Sequence, residues 1–491
     1  MSSQLTAPAA IVLAAGQGTR MRSRIPKVLH PLAGRPMLDH VLGALARAGI
    51  EHPVVVTGHG ADDVEAALGD RAATVRQEPQ RGTADAVRLG LERVAPGTET
   101  ILVTMGDAPL QPAELFTALI RERDASGAAL ALVAARLPDP TGYGRIVRGA
   151  DGGATAIVEE ADADAETRAI DEINAGTYAF DAVWLRDAIG RVQPAASGEL
   201  YLTDLLALAL EDGRTACVVS AGDPSDALGI NDRVGLAAAE ERLRRRITEE
   251  HMRNGVTIVD PSTTRIDAAV EIGQDARIEP WTILSGATII AQEAVVGPHA
   301  QVRDSRIGPR THVWASVVEE STVAEDVSIG PFAHLRPGAE IGPRCRIGNF
   351  AEIKKSRLGA GTQQHHFSYL GDAEIGENVN VGAGSVTANY DGTAKHPTTV
   401  GDRVRLGVDT MMVAPVTIGA GATTGAGAVV TRDVAPGKTV VGMPARPIDV
   451  ARSSDPPADE SRDPGAGEAP VPSGGGSEPA VEADRTPPNG R

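Results

Sequence analysis

Aromatic side chains are scarce in this sequence, at 3% of residues, and only two of its 491 residues are cysteine. So few aromatics argue against a protein that binds single-stranded nucleic acid by stacking. Positive charge is short too: 47 Lys and Arg against 65 Asp and Glu leave a net charge of −18. That balance argues against nonspecific nucleic-acid binding and against adsorption to anionic lipid. Phosphate binding stays open to it, because that takes only a few local cations and backbone amides. Cys217 and Cys345 are too few for a disulfide framework and are not spaced as a zinc motif, which fits a cytoplasmic, reducing location. No uncharged apolar stretch approaches the ~20 residues of a membrane span. The first arginine, Arg20, follows the apolar run Ile11 to Ala15, so no signal peptide is expected.

Apolar residues are present in quantity, at 42%. The chain exceeds the ~250–300 residues at which one hydrophobic core stops growing, so at least two domains are expected. Three patterns divide it. Residues 1–234 alternate buried-strand runs (Ala10 to Leu13, Val54 to Thr57, Thr100 to Thr104, Ala129 to Ala134, Ala216 to Ser220) with 3.6-periodic stretches such as Met37-Val41-Leu45. That alternation predicts an α/β, Rossmann-like domain with a mostly parallel sheet. Residues 235–255 read as a long helical linker, with Leu236, Leu243 and Ile247 on one stripe and Gly255 as the stop. Across 256–450 aliphatic residues recur every six positions: Ile266, Ile272, Ile278, Leu284, Ile290, Val296, Val302, and later Val400, Leu406, Met412, Ile418. Neither a helix nor an alternating strand gives that period. It fits a left-handed parallel β-helix of hexapeptide repeats, with one inward aliphatic per flat face of a triangular prism. The register breaks near 303–328 and 355–399, which marks turns or loops leaving the prism. Residues 451–491 hold eight prolines and eight acidic residues with only Val471 and Val481 as large aliphatics, so a disordered acidic tail is expected.

Leu13-Ala14-Ala15-Gly16-Gln17-Gly18-Thr19-Arg20 follows the first strand. Its glycines let backbone amides approach phosphate oxygens, and Arg20 and Lys27 add cations. Two glycines alone would equally make an ordinary strand-to-helix turn. The dinucleotide fingerprint fails at Met21, and no GxxxxGK[ST] loop is present. Asp107, in Gly106-Asp107-Ala108-Pro109, sits past a strand end, where parallel sheets bind ligands. Its carboxylate suits Mg²⁺ or, taken alone, a helix cap. Within the hexapeptide region, His365-His366-Phe367-Ser368-Tyr369 carries a candidate base, with Glu352 available to orient it, and Arg336, Lys354 and Lys395 supply cations on an acidic protein. By itself a His pair reads as a solvated loop, and a solenoid as a passive trimerising stalk.

The longer strings, with Pro26-Lys27-Val28-Leu29 and Leu32-Ala33-Gly34-Arg35-Pro36-Met37, resemble sugar nucleotidyltransferases. Adding Gly348-Asn349-Phe350, His366 to Asp372, Asn380-Val381-Gly382-Ala383-Gly384 and Asn389-Tyr390-Asp391-Gly392, the chain over about 8–445 resembles the bacterial bifunctional N-acetylglucosamine-1-phosphate uridylyltransferase/glucosamine-1-phosphate N-acetyltransferase family. The resemblance implies Mg²⁺ on Asp107 and Asn231, with Arg20 and Lys27 at the transferring phosphate. It places UTP and UDP-N-acetylglucosamine against Leu13, Ala14, Ala15, Gly16, Lys27, Gln77, Gly82, Thr83, Gly142, Glu159, Asn174 and Asn231. It makes His366 the acetyl-transfer base, assigns glucosamine 1-phosphate to Arg336, Lys354, Tyr369, Asn380 and Lys395, and assigns acetyl-CoA to Ala383, Asn389, Tyr390, Val408 and Ala426. N-acetylglucosamine 1-phosphate is then the second substrate, the assembly a homotrimer, and the product a precursor for peptidoglycan and other envelope polymers. This chain departs from the family pattern at Met105, at Ala84-Asp85-Ala86, at Val408 (where a Ser is expected) and at Val441 to Pro447. Two rival readings are a single-activity nucleotidyltransferase with a structural trimerising solenoid, and a noncatalytic sugar-nucleotide-binding scaffold.

Overall fold

The computed structural model describes residues 8–196 and 198–448; the expected acidic tail lies outside them. In the N-terminal part the strands follow the order 216–220, 130–136, 172–181, 100–105, 9–14, 54–57, 73–76. Every neighbouring pair is parallel except those made by Glu172–Asp181, which runs antiparallel to both Thr100–Met105 and Leu130–Arg136. The sequence pattern missed this strand, which is interrupted by Gly176 and a register shift between Asn174 and Tyr178. A hairpin, Arg145–Arg148 with Ala154–Val158, hangs from it. Alternation along each strand feeds two cores. Ile11, Val54, Val56, Ile101 and Val103 face one side; Ala10, Val12, Val55 and Leu102 face the other. Ala216–Ser220, expected to be buried, is a half-buried edge strand because it pairs on one side only.

The helix Arg233–Arg253 begins where the Asp232 side chain accepts from Gly235 N–H at 2.8 Å, a cap for an otherwise unpaired amide. Its apolar stripe is divided. Leu236 and Leu243 pack on Leu32, Met37, Leu110 and Ile230, whereas Ile247 packs on the solenoid core. Arg244 pairs with both Glu240 and Asp267, and Ala268 N–H donates to Ala33 O at 2.9 Å. The helix therefore fastens the α/β part to the first coil.

Beyond it, three sheets of 12, 10 and 9 strands stack one rung per coil, parallel throughout except for the last strand of the first, Arg446–Ile448, which turns back antiparallel on Thr439–Val441. Every third strand pairs: Arg265–Ile266 with Ile283–Ser285, then Gln301–Arg303, Val317–Glu319, His334–Leu335, Ala351–Lys354 and Ser368–Gly371. Of the turns or loops expected at 303–328, no loop leaves the prism. The inward residues Val302, Ile307, Val313, Val318, Val323 and Ile329 stay buried, and three of the steps between them are five residues rather than six. Shortened corners, not excursions, shift the register. Most of 355–399 behaves likewise, with Leu358, Gln364, Leu370, Ile375, Val381 and Thr387 pointing inward. The chain leaves the prism over 389–397, between Val386–Ala388 and Thr398–Val400, in a loop closed by a Tyr390–Lys395 bridge.

Candidate active sites

At the C-terminal ends of Ala9–Ala14, Val54–Thr57 and Thr100–Met105 lies a cleft of about 1050 Å³, adjoined by a smaller one of about 250 Å³. Ligands gather at this edge of open α/β sheets because the loops diverge there. The large cleft is lined by Leu13, Ala15, Gly16, Gln77, Gly82, Thr83, Met105, Asp107 and Glu159; the small one by Leu13, Ala14, Gly16, Arg20, Lys27, Asp107 and Asn231. Gly18 takes a left-handed φ of 60°, and a Cβ there would fall 2.8 Å from Lys27 Cβ. Glycine at this point lets the turn carrying Arg20 close over Lys27.

Lys27 Nζ donates to Asn231 Oδ1 at 2.8 Å and forms an ion pair with Asp107. Asp107 is pinned by its backbone: Ile230 N–H donates to its carbonyl at 2.9 Å, and Gly106 N–H donates to Leu13 O at 2.9 Å. A carboxylate from one loop and an amide oxygen from another, 124 residues on, thus converge on one cation. Hard oxygen donors of this kind also suit Mg²⁺, which takes one or two protein oxygens and leaves room for phosphates. Among the described residues no group of three or more His, Cys, Asp and Glu gathers as a metal site.

Gln77 Nε2 donates to Gly82 O at 2.9 Å and to Asp85 Oδ2 at 3.1 Å, and Asp85 is paired with Arg88. Both amide hydrogens of Gln77 are thus spent on the protein, one of them on the departure at Asp85. Gly82, with φ 115°, leaves no room for a side chain, since a Cβ would meet Leu200 O at 2.5 Å. Thr83 Oγ1 accepts from Leu202 N–H at 2.9 Å. Glu159 accepts from Thr203 Oγ1 at 3.2 Å, and burial holds its carboxyl above the usual carboxylate range. Gly142 and Asn174 line neither cleft. Gly142 N–H donates to Glu160, and Asn174 Nδ2 donates to Tyr178 OH at 2.6 Å while Oδ1 accepts from Gly176 N–H at 3.1 Å. Asn174 braces the bulge in its strand. His59, Glu78, Gln80 and Tyr201 also line the cleft. Gly58-His59-Gly60 follows a strand end, the same positional signal that singled out Asp107.

On the solenoid, His366 is exposed at a corner between two faces. The corner glycines stack: a Cβ on Gly348 would meet His365 O, on Gly382 it would meet Gly407, and on Gly407 it would meet Gly425. That stacking puts His366, Ala383, Val408 and Ala426 at equivalent corners of four successive coils. Gly384 N–H donates to Phe367 O at 2.7 Å, Asp409 N–H to Ala383 O at 2.7 Å and Gly427 N–H to Val408 O at 2.8 Å. Residues 17 to 60 positions apart thus share one edge of the prism. Val408 is 48% exposed there, an apolar surface where the family pattern has a hydroxyl.

The adjoining face carries the cations. Arg336 donates to Glu352 Oε1 at 2.7 Å, so Glu352 serves Arg336 rather than orienting His366. Lys395, brought back by the 389–397 loop, sits against Lys354 and with Arg336 lowers the Lys354 ammonium below its ordinary lysine value. Tyr369 stands beside Glu352 in the ladder; Asn389 Nδ2 reaches Tyr369 OH at 3.5 Å and bonds Asp372. Tyr390 is exposed, with its hydroxyl donating to Gly392 O at 2.6 Å. Asn380 is exposed on the neighbouring face, between Gln363 and Arg405. His365 meets Gln363 Oε1 at 3.1 Å.

A nucleotide-sized cleft with paired cation and carboxylate on one half, and a hexapeptide prism with a histidine edge on the other, define a two-site transferase. Residues 10–224 match the MobA-like NTP transferase domain, 320–355 the bacterial transferase hexapeptide, and 397–432 the hexapeptide repeat of succinyl-transferase. The chain is 46% identical over 433 residues to the bifunctional protein GlmU of Heliobacterium modesticaldum, covering 88% of this chain and 94% of that one. It is 48% identical over 442 residues to that of Mycolicibacterium vanbaalenii (88% and 90%) and 46% over 439 residues to that of Streptomyces avermitilis (88% and 91%). The chain belongs to the family of bifunctional GlmU proteins.

Proposed function

We propose that this protein makes UDP-N-acetylglucosamine from glucosamine 1-phosphate in two reactions. In the solenoid, Arg336, Lys354 and Lys395 hold the sugar phosphate, and neutral His366 accepts a proton from the 2-amino group. The amine attacks the thioester carbonyl of acetyl-CoA, the C–N bond forms as C–S breaks, and the proton passes to the departing thiolate. In the α/β part, a phosphate oxygen of N-acetylglucosamine 1-phosphate attacks the α-phosphorus of UTP, and pyrophosphate leaves. Arg20 and Lys27 offset charge on the transferring group while the Gly16–Gly18 turn positions the triphosphate; no covalent protein intermediate is needed. Asp107 and Asn231 would hold Mg²⁺, which when bound neutralises charge on the phosphates.

The reading is carried by the presence, on one chain, of the Lys27–Asp107–Asn231 convergence and of the His366–Ala383–Val408–Ala426 edge. A homotrimer is part of it. The exposed corner aromatics Trp281, Trp314, Phe332, Phe350 and Phe367, with Phe332 stacked on Phe350 at 5.6 Å, support association along the edge that carries His366. Among the described residues no helix is long and apolar enough to cross a membrane, and a cytoplasmic location is part of the same reading.

The test supplies glucosamine 1-phosphate, acetyl-CoA, UTP and Mg²⁺, and follows free CoA and pyrophosphate. CoA should appear without UTP, and pyrophosphate should require acetyl-CoA unless N-acetylglucosamine 1-phosphate is supplied. Uridylyl transfer with no release of CoA would establish the single-activity reading instead.

A further inference from the structure

Two inward slots break the apolar rule along the histidine edge, Gln364 and Thr424; Thr424 Oγ1 is partnered by Gly407 N–H and Thr410, whereas Gln364 keeps an unpartnered oxygen. The column of inward residues on the 12-stranded sheet runs Ile258, Ile278, Val296, Val313, Ile329, Ile347, Gln364, Val381, Leu406, Thr424, Val440. Gln364 is fully buried, between Ile347 and Val381, with its Oε1 lacking any hydrogen-bond partner. An amide in such a slot is costly, because a buried polar atom without a partner has lost its water and gained nothing. Its other end is engaged. Gln364 Nε2 donates to Ser368 Oγ at 2.8 Å, and Ser368 Oγ donates to His366 O at 2.9 Å. Ser368 is itself buried. The chain of bonds runs from inside the prism to the backbone of His366.

The corner they hold differs from its neighbours. Phe332 and Phe350, at the equivalent corner of the two preceding coils, take left-handed φ values of 60° and 59°; Phe367 does not. All three corners join inward residues six positions apart (329 to 335, 347 to 353, 364 to 370), so length is not the cause. What accompanies the change is the Gln364–Ser368 pair, together with His365 in place of the glycine (Gly330, Gly348) that opens the other two corners.

We infer that Gln364 and Ser368 are positioning residues for acetyl transfer, which fix the 365–367 corner so that His366 meets the amine of the substrate. The inference rests on His366 being the base. Gln364 keeps a polar group in an aliphatic slot at the expense of prism stability, in return for a fixed corner.

Gln364→Met preserves side-chain length and removes the donor and the unpartnered oxygen. In the full-length protein it should lower kcat of acetyl transfer by about 10- to 100-fold, the scale of a misplaced catalytic group, with KM for both substrates within about twofold. Uridylyl transfer should be unchanged and the melting temperature equal to or above wild type. Ser368→Ala should reproduce the acetyl-transfer defect, and Ser368→Thr, which keeps the hydroxyl, should restore it. The Gln364→Met/Ser368→Ala double variant should be no worse than either single one, since both cut the same chain of bonds. Unchanged acetyl transfer in Gln364→Met, or a falling melting temperature with both activities lost together, would overturn the inference. His366→Ala separates it from the reading beneath it: full acetyl transfer there removes the base assignment, whereas a defect in His366→Ala with none in Gln364→Met removes the positioning role alone.

Discussion

Lys27 occupies the point on which two oxygen donors converge, so replacing it should move metal binding and catalysis in opposite directions. Its ammonium pairs with Asp107 and donates to Asn231 Oδ1 at 2.8 Å, with the two charged side chains only 12% and 23% exposed. A metal ion binding to those oxygens must first displace the ammonium. Hydrogen bonds to charged groups contribute about 1.5–3 kcal/mol each, and tenfold in affinity corresponds to about 1.4 kcal/mol. Lys27→Met keeps the Cβ and Cγ that pack under Gly18 and removes the charge. Nucleotide-free protein should then bind Mn²⁺ about 10- to 100-fold more tightly, measured by titration calorimetry. Uridylyl transfer, followed by pyrophosphate release, should fall about 10²- to 10³-fold, as when one preorganised group at the transferring phosphate is lost. Mn²⁺ affinity equal to or weaker than wild type would refute the shared-oxygen argument. Undiminished uridylyl transfer would refute the catalytic role of the ammonium.

Asp107→Asn is isosteric and leaves the Ile230 and Gly106 backbone bonds in place; it should cut uridylyl transfer about 10²-fold or more and spare acetyl transfer, with equal loss of both activities as the refuting result. Burial holds the Glu159 carboxyl above its usual range, so the native state binds that proton more tightly than the unfolded chain. The destabilisation is absent below the unfolded carboxyl value of ~4.3 and complete once pH exceeds the raised native value. Glu159→Gln should therefore raise the melting temperature near neutral pH, show no gain near pH ~4, and weaken N-acetylglucosamine 1-phosphate binding; scanning calorimetry at both pH values decides it. His366→Ala should lower acetyl transfer about 10²- to 10⁴-fold, while His365→Ala, whose ring is exposed and meets only Gln363, should cost little; the reverse order in a CoA-release assay would move the base by one residue.

The sequence by itself determined the architecture. A period of six is written locally in Ile266 to Val302 because each flat face of a prism turns one side chain inward, and the strand ends before Gly16 and Asp107 mark the ligand edge of a parallel sheet. The antiparallel strand Glu172–Asp181 was not legible, because its bulge and Gly176 break the alternation that marks a strand. The apparent interruptions at 303–328 were legible as a shift but not as its cause: corners of five residues and loops leaving the prism give the same broken register. Asp107 and Asn231 could be named from strings, but that both oxygens meet one ammonium was decided by loops 124 residues apart closing on each other. Glu352 was legible as a carboxylate near a histidine in sequence; tertiary structure gave it to Arg336, one coil above it on the same face. Gln364 went unread within the broken register at 355–399, and only its bond to Ser368 ties it to the His366 corner. Periodicity is fixed by the geometry of neighbouring backbone units and so can be read along the chain. Which side chains meet is fixed by how distant coils and loops are brought together, and that distance leaves no trace in local spacing.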